Sequence, residues 1–222
     1  MATYSNRMAL IKPAGSEARS NVQLNTNADL LDKFMPCILV NDGVTPPTGD
    51  LYDGALVKER TSGIIWEARK NGGGTFDKVY VQYPFQLVGQ QLAQNFTSGT
   101  TPFATGITSV TTAQCVNAGA GNLSGVKCVA PIKGLYEFKV SNRWAVNATG
   151  LRSLTTEVGG SNDLSREDLR ISVGASFTTD CHISRTILMS ASQTIVGMAW
   201  QNSGGALNVD TYTSFTLLQP VQ

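Results

Sequence analysis

The stretch Gly134-Leu135-Tyr136-Glu137-Phe138-Lys139-Val140-Ser141-Asn142-Arg143-Trp144 decides the fold class. Tyr136, Phe138, Val140 and Trp144 hold even positions, and Glu137, Lys139, Ser141 and Arg143 fall between them. Successive side chains leave a strand on opposite faces, so this alternation sets an apolar face on a core and a polar face toward solvent. The neighbouring run repeats it: Leu169, Ile171, Val173, Ala175 and Phe177 alternate with Arg170, Ser172, Gly174, Ser176 and Thr178, predicting a second strand with one face buried.

Outward from these runs, strands are predicted at residues 89–96, 126–130, 150–158, 183–190, 194–201 and 212–218, with turns at 117–125 and 202–205. The segment 157–168 reads as a solvated loop. Many short strands without a fixed repeat period argue for a sandwich of jelly-roll or Greek-key type, and against propellers and β-helices.

The first 35 residues are polar and turn-rich and read as an extended arm, with a short helical anchor at 28–34. Residues 40–51 hold Asn41-Asp42-Gly43, Pro46-Pro47 and Gly49, which fix turn dihedrals and predict a loop. Ala55-Leu56-Val57, Ile64-Ile65-Trp66 and Val79-Tyr80-Val81 have the spacing of a small three-stranded β-meander, whose open edges need neighbours. The boundary is placed near residue 86, dividing 1–85 from 86–222.

Charged residues make up 15% of the chain against roughly 25% for an average soluble protein, which favours strands and turns over charged surface helices. The formal net charge of +1 and the lack of any Lys/Arg cluster argue against nucleic-acid binding. No run of ~18 apolar residues is present, so membrane insertion is not expected. Cys37, Cys115, Cys128 and Cys181 form no CxxC pair, and the sole histidine, His182, points away from its neighbour Cys181 on a strand. The carboxylates Glu157, Asp163, Glu167 and Asp168 suit a hard ion or glycoside hydrolysis, but a solvated surface loop accounts for them more simply. No catalytic set, metal site or cofactor is expected.

The second half resembles the TNF-like jelly roll of complement globular heads over residues 88–222. The resemblance rests on Pro131-Ile132-Lys133-Gly134-Leu135-Tyr136-Glu137-Phe138, on Thr186-Ile187-Leu188-Met189 followed by Thr194-Ile195-Val196, and on Ser214-Phe215-Thr216-Leu217-Leu218. The first half resembles the attachment segments of phage minor tail and fibre proteins. It does so through Asn25-Thr26-Asn27-Ala28-Asp29, Pro46-Pro47, Asp53-Gly54-Ala55-Leu56-Val57-Lys58-Glu59 and Ile64-Ile65-Trp66.

Together these resemblances imply an all-β chain: an extended arm plus small β-meander, then a ten-strand-type jelly-roll sandwich that trimerises. They imply a non-enzymatic structural virion protein of a tailed phage, a short homotrimeric tail fibre or minor tail protein. Residues 1–85 would dock on tail, baseplate or capsid proteins, and the head would meet a host surface glycan or protein. Alternatives are a capsid decoration or head-fibre protein stabilising the shell, and a polysaccharide-degrading hydrolase. Candidates for the trimer interface are Tyr212, Phe215 and Leu217, then Trp200 and Tyr136, although the same residues suit the sandwich interior. Candidates for the receptor loops, at 159–166 and 202–208, are Gly159, Ser161, Asn162, Asp163, Asn202 and Asn208.

Overall fold

The computed structural model describes residues 3–4, 11–12, 38–47, 49, 51–99, 101–172 and 176–221. The anchor expected at 28–34, most of the expected arm, and Cys37 lie outside them. The chain divides into two compact units, Met1–Gln82 and Tyr83–Gln222.

In the first unit β1 (Thr3–Tyr4) pairs with β2 (Ile11–Lys12). A four-stranded sheet then runs β3 (Ile38–Val40), β4 (Ala55–Glu59), β5 (Ile65–Lys70), β6 (Phe76–Gln82) in that spatial order. The meander expected from the sequence is β4 to β6. β3 is an addition, parallel to β4 and too short to show a period. Ala55, Val57, Trp66 and Ala68 are buried, and the Lys78 ammonium lies 4.7 Å from the Trp66 ring centroid. The hairpin between β5 and β6 turns on Asn71, whose Oδ1 accepts from the Gly73 and Thr75 amides at 3.1 and 3.2 Å.

The second unit contains β7 (Gln86–Phe96), β8 (Phe103–Thr105), β9 (Ser109–Val110), β10 (Leu123–Ser124), β11 (Lys127–Val129) and β12 (Gly134–Trp144). It continues with β13 (Leu151–Val158), β14 (Ser161–Ile171), β15 (Thr179–Met189), β16 (Thr194–Gln201) and β17 (Leu207–Pro220). One sheet has five strands in the order β15-β12-β17-β7-β9, and the other follows β10-β11-β16-β13-β14 with β8 also paired to β16. Apart from the β13–β14 hairpin, successive long strands from β12 onward switch between the sheets, which is the jelly-roll sandwich expected from the sequence.

The core follows the alternation of Tyr136, Phe138, Val140 and Trp144. Even-numbered residues of β12 and odd-numbered residues of β15 and β17 point inward, so Tyr136, Phe138, Val140, Trp144, Phe215 and Leu217 are buried. Phe215 stacks on Tyr136 at 4.6 Å between centroids, and Phe85 meets both rings edge-on at 5.7 and 6.2 Å. The Tyr136 hydroxyl donates to the Ile132 carbonyl at 2.7 Å, so this buried polar tip is satisfied.

Two expectations are corrected. The strand read through Leu169 to Phe177 ends at Ile171, and residues 176–178 form a turn before β15. Among the described residues its apolar side chains do not reach the core either: Leu169, Ile171 and Phe177 are 52%, 74% and 66% exposed. Alternation specifies two faces but not that either is covered, and β14 is the last strand of its sheet. The segment 157–168 is no loop; it is the tight hairpin of β13 and β14, turned by Gly159 and Gly160 at φ +58° and +88°. Its Asp168 has a structural task. Oδ2 accepts from the His182 backbone amide at 2.7 Å and Oδ1 meets Arg170 Nε at 2.7 Å. A carboxylate thus closes part of the open edge of β15, a site otherwise available for unwanted strand pairing.

Candidate functional site: the outer face of the five-stranded sheet

Register decides what this face presents. Across β15, β12, β17 and β7, one row reads His182, Ser141, Tyr212, Gln90 and the next Ser184, Lys139, Ser214, Val88. Serines at the centre of three strands leave the middle of the face low, while Thr111 and Gln114, following β9, rise beside it. The result is an open groove of about 610 Å³, lined among others by Gln90, Lys139, Ser141, His182 and Tyr212. Further along, Leu188 lies opposite Leu135, with Leu218 beside them at the bulge in β17. Tyr212, Leu188 and Leu218 are exposed large hydrophobics.

Charge on the face is paired laterally. Lys139 Nζ lies 2.8 Å from Glu137 Oε2 and Arg143 Nε lies 3.5 Å from Asp180 Oδ1. Exposed pairs of this kind add little stability, but they leave the face nearly neutral. Ser141 and His182 face each other across the β12–β15 ladder, yet no hydrogen bond joins their side chains among the described residues, so no activated nucleophile is assembled. Among the described residues no three His, Cys, Asp or Glu side chains converge as metal ligands, and no helix is long and apolar enough to cross a membrane.

The structure separates the candidates drawn from the sequence. Tyr136, Phe215 and Leu217 fill the sandwich interior of a single chain. Trp200 belongs to β16 of the other sheet and is half-buried, opposite in parity to Gly197, whose absent Cβ would touch Val140 and Leu154. Only Tyr212 is on the outer face, with 42% of its surface exposed. Strand parity held this signal: Tyr212 is even-numbered, while Phe215 and Leu217 share odd parity with the buried Thr211 and Thr213.

The loop candidates separate as well. Gly159, Ser161, Asn162 and Asp163 lie at the β13–β14 turn, the end where Val158 pairs with Ile195. Asn202 lies at the opposite end, past the Arg152–Gln201 pair, where its Oδ1 accepts from the Leu151 amide at 2.6 Å. Asn208 is on strand β17, not in a loop. These residues do not form one contact surface.

Burial controls the titratable groups of the interior. It pushes the Cys128 and Cys181 thiols up to about 12, with the Asp168 carboxylate adding to the effect at Cys181. It also pushes the Tyr136 hydroxyl up to about 12, against the opposing hydrogen bond to Ile132. Arg152, fully buried beside the Trp144 ring at 5.9 Å, is lowered by the same desolvation. The three raised acids keep their protons in the folded state longer than in the unfolded chain, so the unfolded state binds fewer protons above their ordinary values. The stability they contribute is complete below about pH 9 and is lost as pH rises toward 12. A denaturation series across this window should show falling stability, with tyrosinate absorbance of Tyr136 developing together with unfolding. Unchanged stability up to pH 12 would contradict the burial of these groups.

Sheet order and connectivity define the class: a jelly-roll sandwich domain carried on an all-β chain. Solved structures similar to it include the PRD1 vertex protein P5, at 16% identity and TM-score 0.40 over 61% of this chain and 97% of that one. The globular domain of zebrafish complement 1qA protein is similar at 8% identity and TM-score 0.37, over 62% of this chain and 98% of that one. The TNF Eiger from S. frugiperda is similar at 8% identity and TM-score 0.42, over 63% and 96%. No family model and no curated protein matches the sequence.

Proposed function

We propose that the protein is a non-enzymatic structural component of a tailed-phage virion, a short homotrimeric tail fibre or minor tail protein. Residues 1–85 attach it to tail, baseplate or capsid proteins, and the jelly-roll unit forms a head that meets the host surface. The observation that carries this reading is the outer face of the five-stranded sheet. A lone chain leaves Tyr212 in water beside a groove floored by small residues, and Leu188 and Leu218 in water further along the same face. Large apolar side chains exposed at two places on one sheet face support reading it as an interaction surface. A surface that receives a different part of a like copy makes a heterologous contact, which closes as a ring when the rotation permits. The sequence resemblances to phage attachment segments and to TNF-like heads support the rest.

The test is localisation in purified phage particles raised from a genome that encodes the chain. The reading expects the chain in the particles, with antibody label at the tail. Label spread over the shell would replace the tail assignment with shell decoration, and absence from intact particles would overturn the virion role.

A further inference from the structure

The two ends of the sandwich differ. The chain enters the unit at the end where Gln86 pairs with Thr216, Gly134 with Pro220 and Met189, and Gly159 with Thr194. At the opposite end Leu207 pairs with Phe96, Trp144 with Thr179 and Val209, and Ser172 bonds to the Gly150 carbonyl at 3.1 Å. On that apex, at the border of the five-stranded sheet, is a second and smaller groove of about 280 Å³, lined by Ala93, Arg143, Ala145, Thr178, Asn208 and Asp210 among others.

Its shape comes from a bulge in β7. Val209 pairs with Gln94 but Thr211 with Gln91, so Leu92 and Ala93 together oppose Asp210. Ala93 takes φ +52°, and its amide donates to Asp210 Oδ1 at 2.8 Å. Bulges of this sort re-aim side chains beside binding sites. Asn208 Oδ1 accepts from Asn95 at 3.0 Å, and Arg143 Nε faces Asp180. The second Asp210 oxygen, the Asn208 amide nitrogen, the Thr178 hydroxyl and the terminal Arg143 nitrogens make no hydrogen bond among the described residues. Just beyond the last β12–β15 pair, Trp144 with Thr179, the chain places Val146 and Phe177, both exposed.

The geometry points to a saccharide site at this apex, taking a neutral sugar with adjacent hydroxyls, with Phe177 as its apolar platform. Each sugar hydroxyl both donates and accepts, and the groove sets a carboxylate oxygen beside guanidinium and amide donors. An anionic ligand would face Asp210 and Asp180, and a cationic one would face Arg143. The volume lies at the lower limit for small-ligand pockets, suited to one or two sugar rings and too small for a strand or helix of a protein partner. Contact at a single shallow groove is weak, and three copies on one head raise the avidity through effective concentration. This last step rests on the trimeric head proposed above; the site itself lies within one chain.

The test presents the full-length protein to surfaces coated with polymer-linked glucose, galactose, rhamnose, N-acetylglucosamine or N-acetylgalactosamine, and to a protein-coated surface. Binding to at least one sugar, competed by the free sugar, is expected. Arg143→Met and Phe177→Ala should each weaken it about tenfold or more at unchanged particle mass and melting temperature. A trimer that binds none of the sugars, variants that bind like the parent, or binding to the protein surface alone would overturn the site. A monomer that still binds a sugar would sink the trimer reading and leave the site standing.

Discussion

Phe215→Ala is expected to cost the jelly-roll unit about 3–5 kcal/mol, the range for removing a buried aromatic and leaving a cavity. Phe215 has no exposed surface and touches three rings: Tyr136 stacked at 4.6 Å, Phe85 edge-on at 5.7 Å and Phe138 at 6.4 Å. These partners come from two segments, β12 and the residue just before β7, so the site cannot collapse by moving one of them. Denaturant unfolding of the variant should show a lower midpoint at an unchanged slope. Phe215→Leu should recover part of the loss. A Phe215→Ala change within about 0.5 kcal/mol, the range of surface substitutions, would mean that the ring is not in the core.

Gly106→Ala is also expected to be strongly damaging, at about 3 kcal/mol, although it adds one carbon. A Cβ there would lie 2.1 Å from the Val126 carbonyl oxygen and 3.2 Å from Val196 Cγ2. The same carbonyl accepts from the Ile107 amide at 3.1 Å, so backing away from the methyl breaks a backbone hydrogen bond in a buried position. The close approach of two chain segments, not an unusual φ, is what requires glycine. Gly121→Ala, with nothing within 4 Å of its Cβ position, is the control and should be near neutral. Equal thermal stability of the two variants would contradict the packing described for residues 106 and 126.

The sandwich was legible because β12 alternates strictly from Tyr136 to Ser141 and is an interior strand of its sheet, flanked by β15 and β17. The same signal misled at Leu169 to Phe177, since period two reports that a strand has two faces and not whether either is covered. β14 is an edge that ends at Ile171, and Phe177 stands in the turn before β15. The hairpin of β13 and β14 was hidden by polar residues between 157 and 168 that resemble a loop in composition; its pairing is with β16 and, through Asp168, with β15. Aromatic content suggested Phe215 and Tyr136 for an interface, whereas their parity places them inside. Neither groove was legible. Gln90, Ser141, His182 and Tyr212 come from four strands far apart in sequence, and the apical groove depends on a bulge that leaves no period to read.

The central claim is that the exposed face carrying Tyr212 is covered by further copies of the same chain. Sedimentation equilibrium of the full-length protein at micromolar concentration tests it most directly. The account predicts a particle of three times the 23.6 kDa chain mass, falling to a single chain in the Tyr212→Glu, Leu188→Glu double variant. A parent protein that sediments at 23.6 kDa would contradict it.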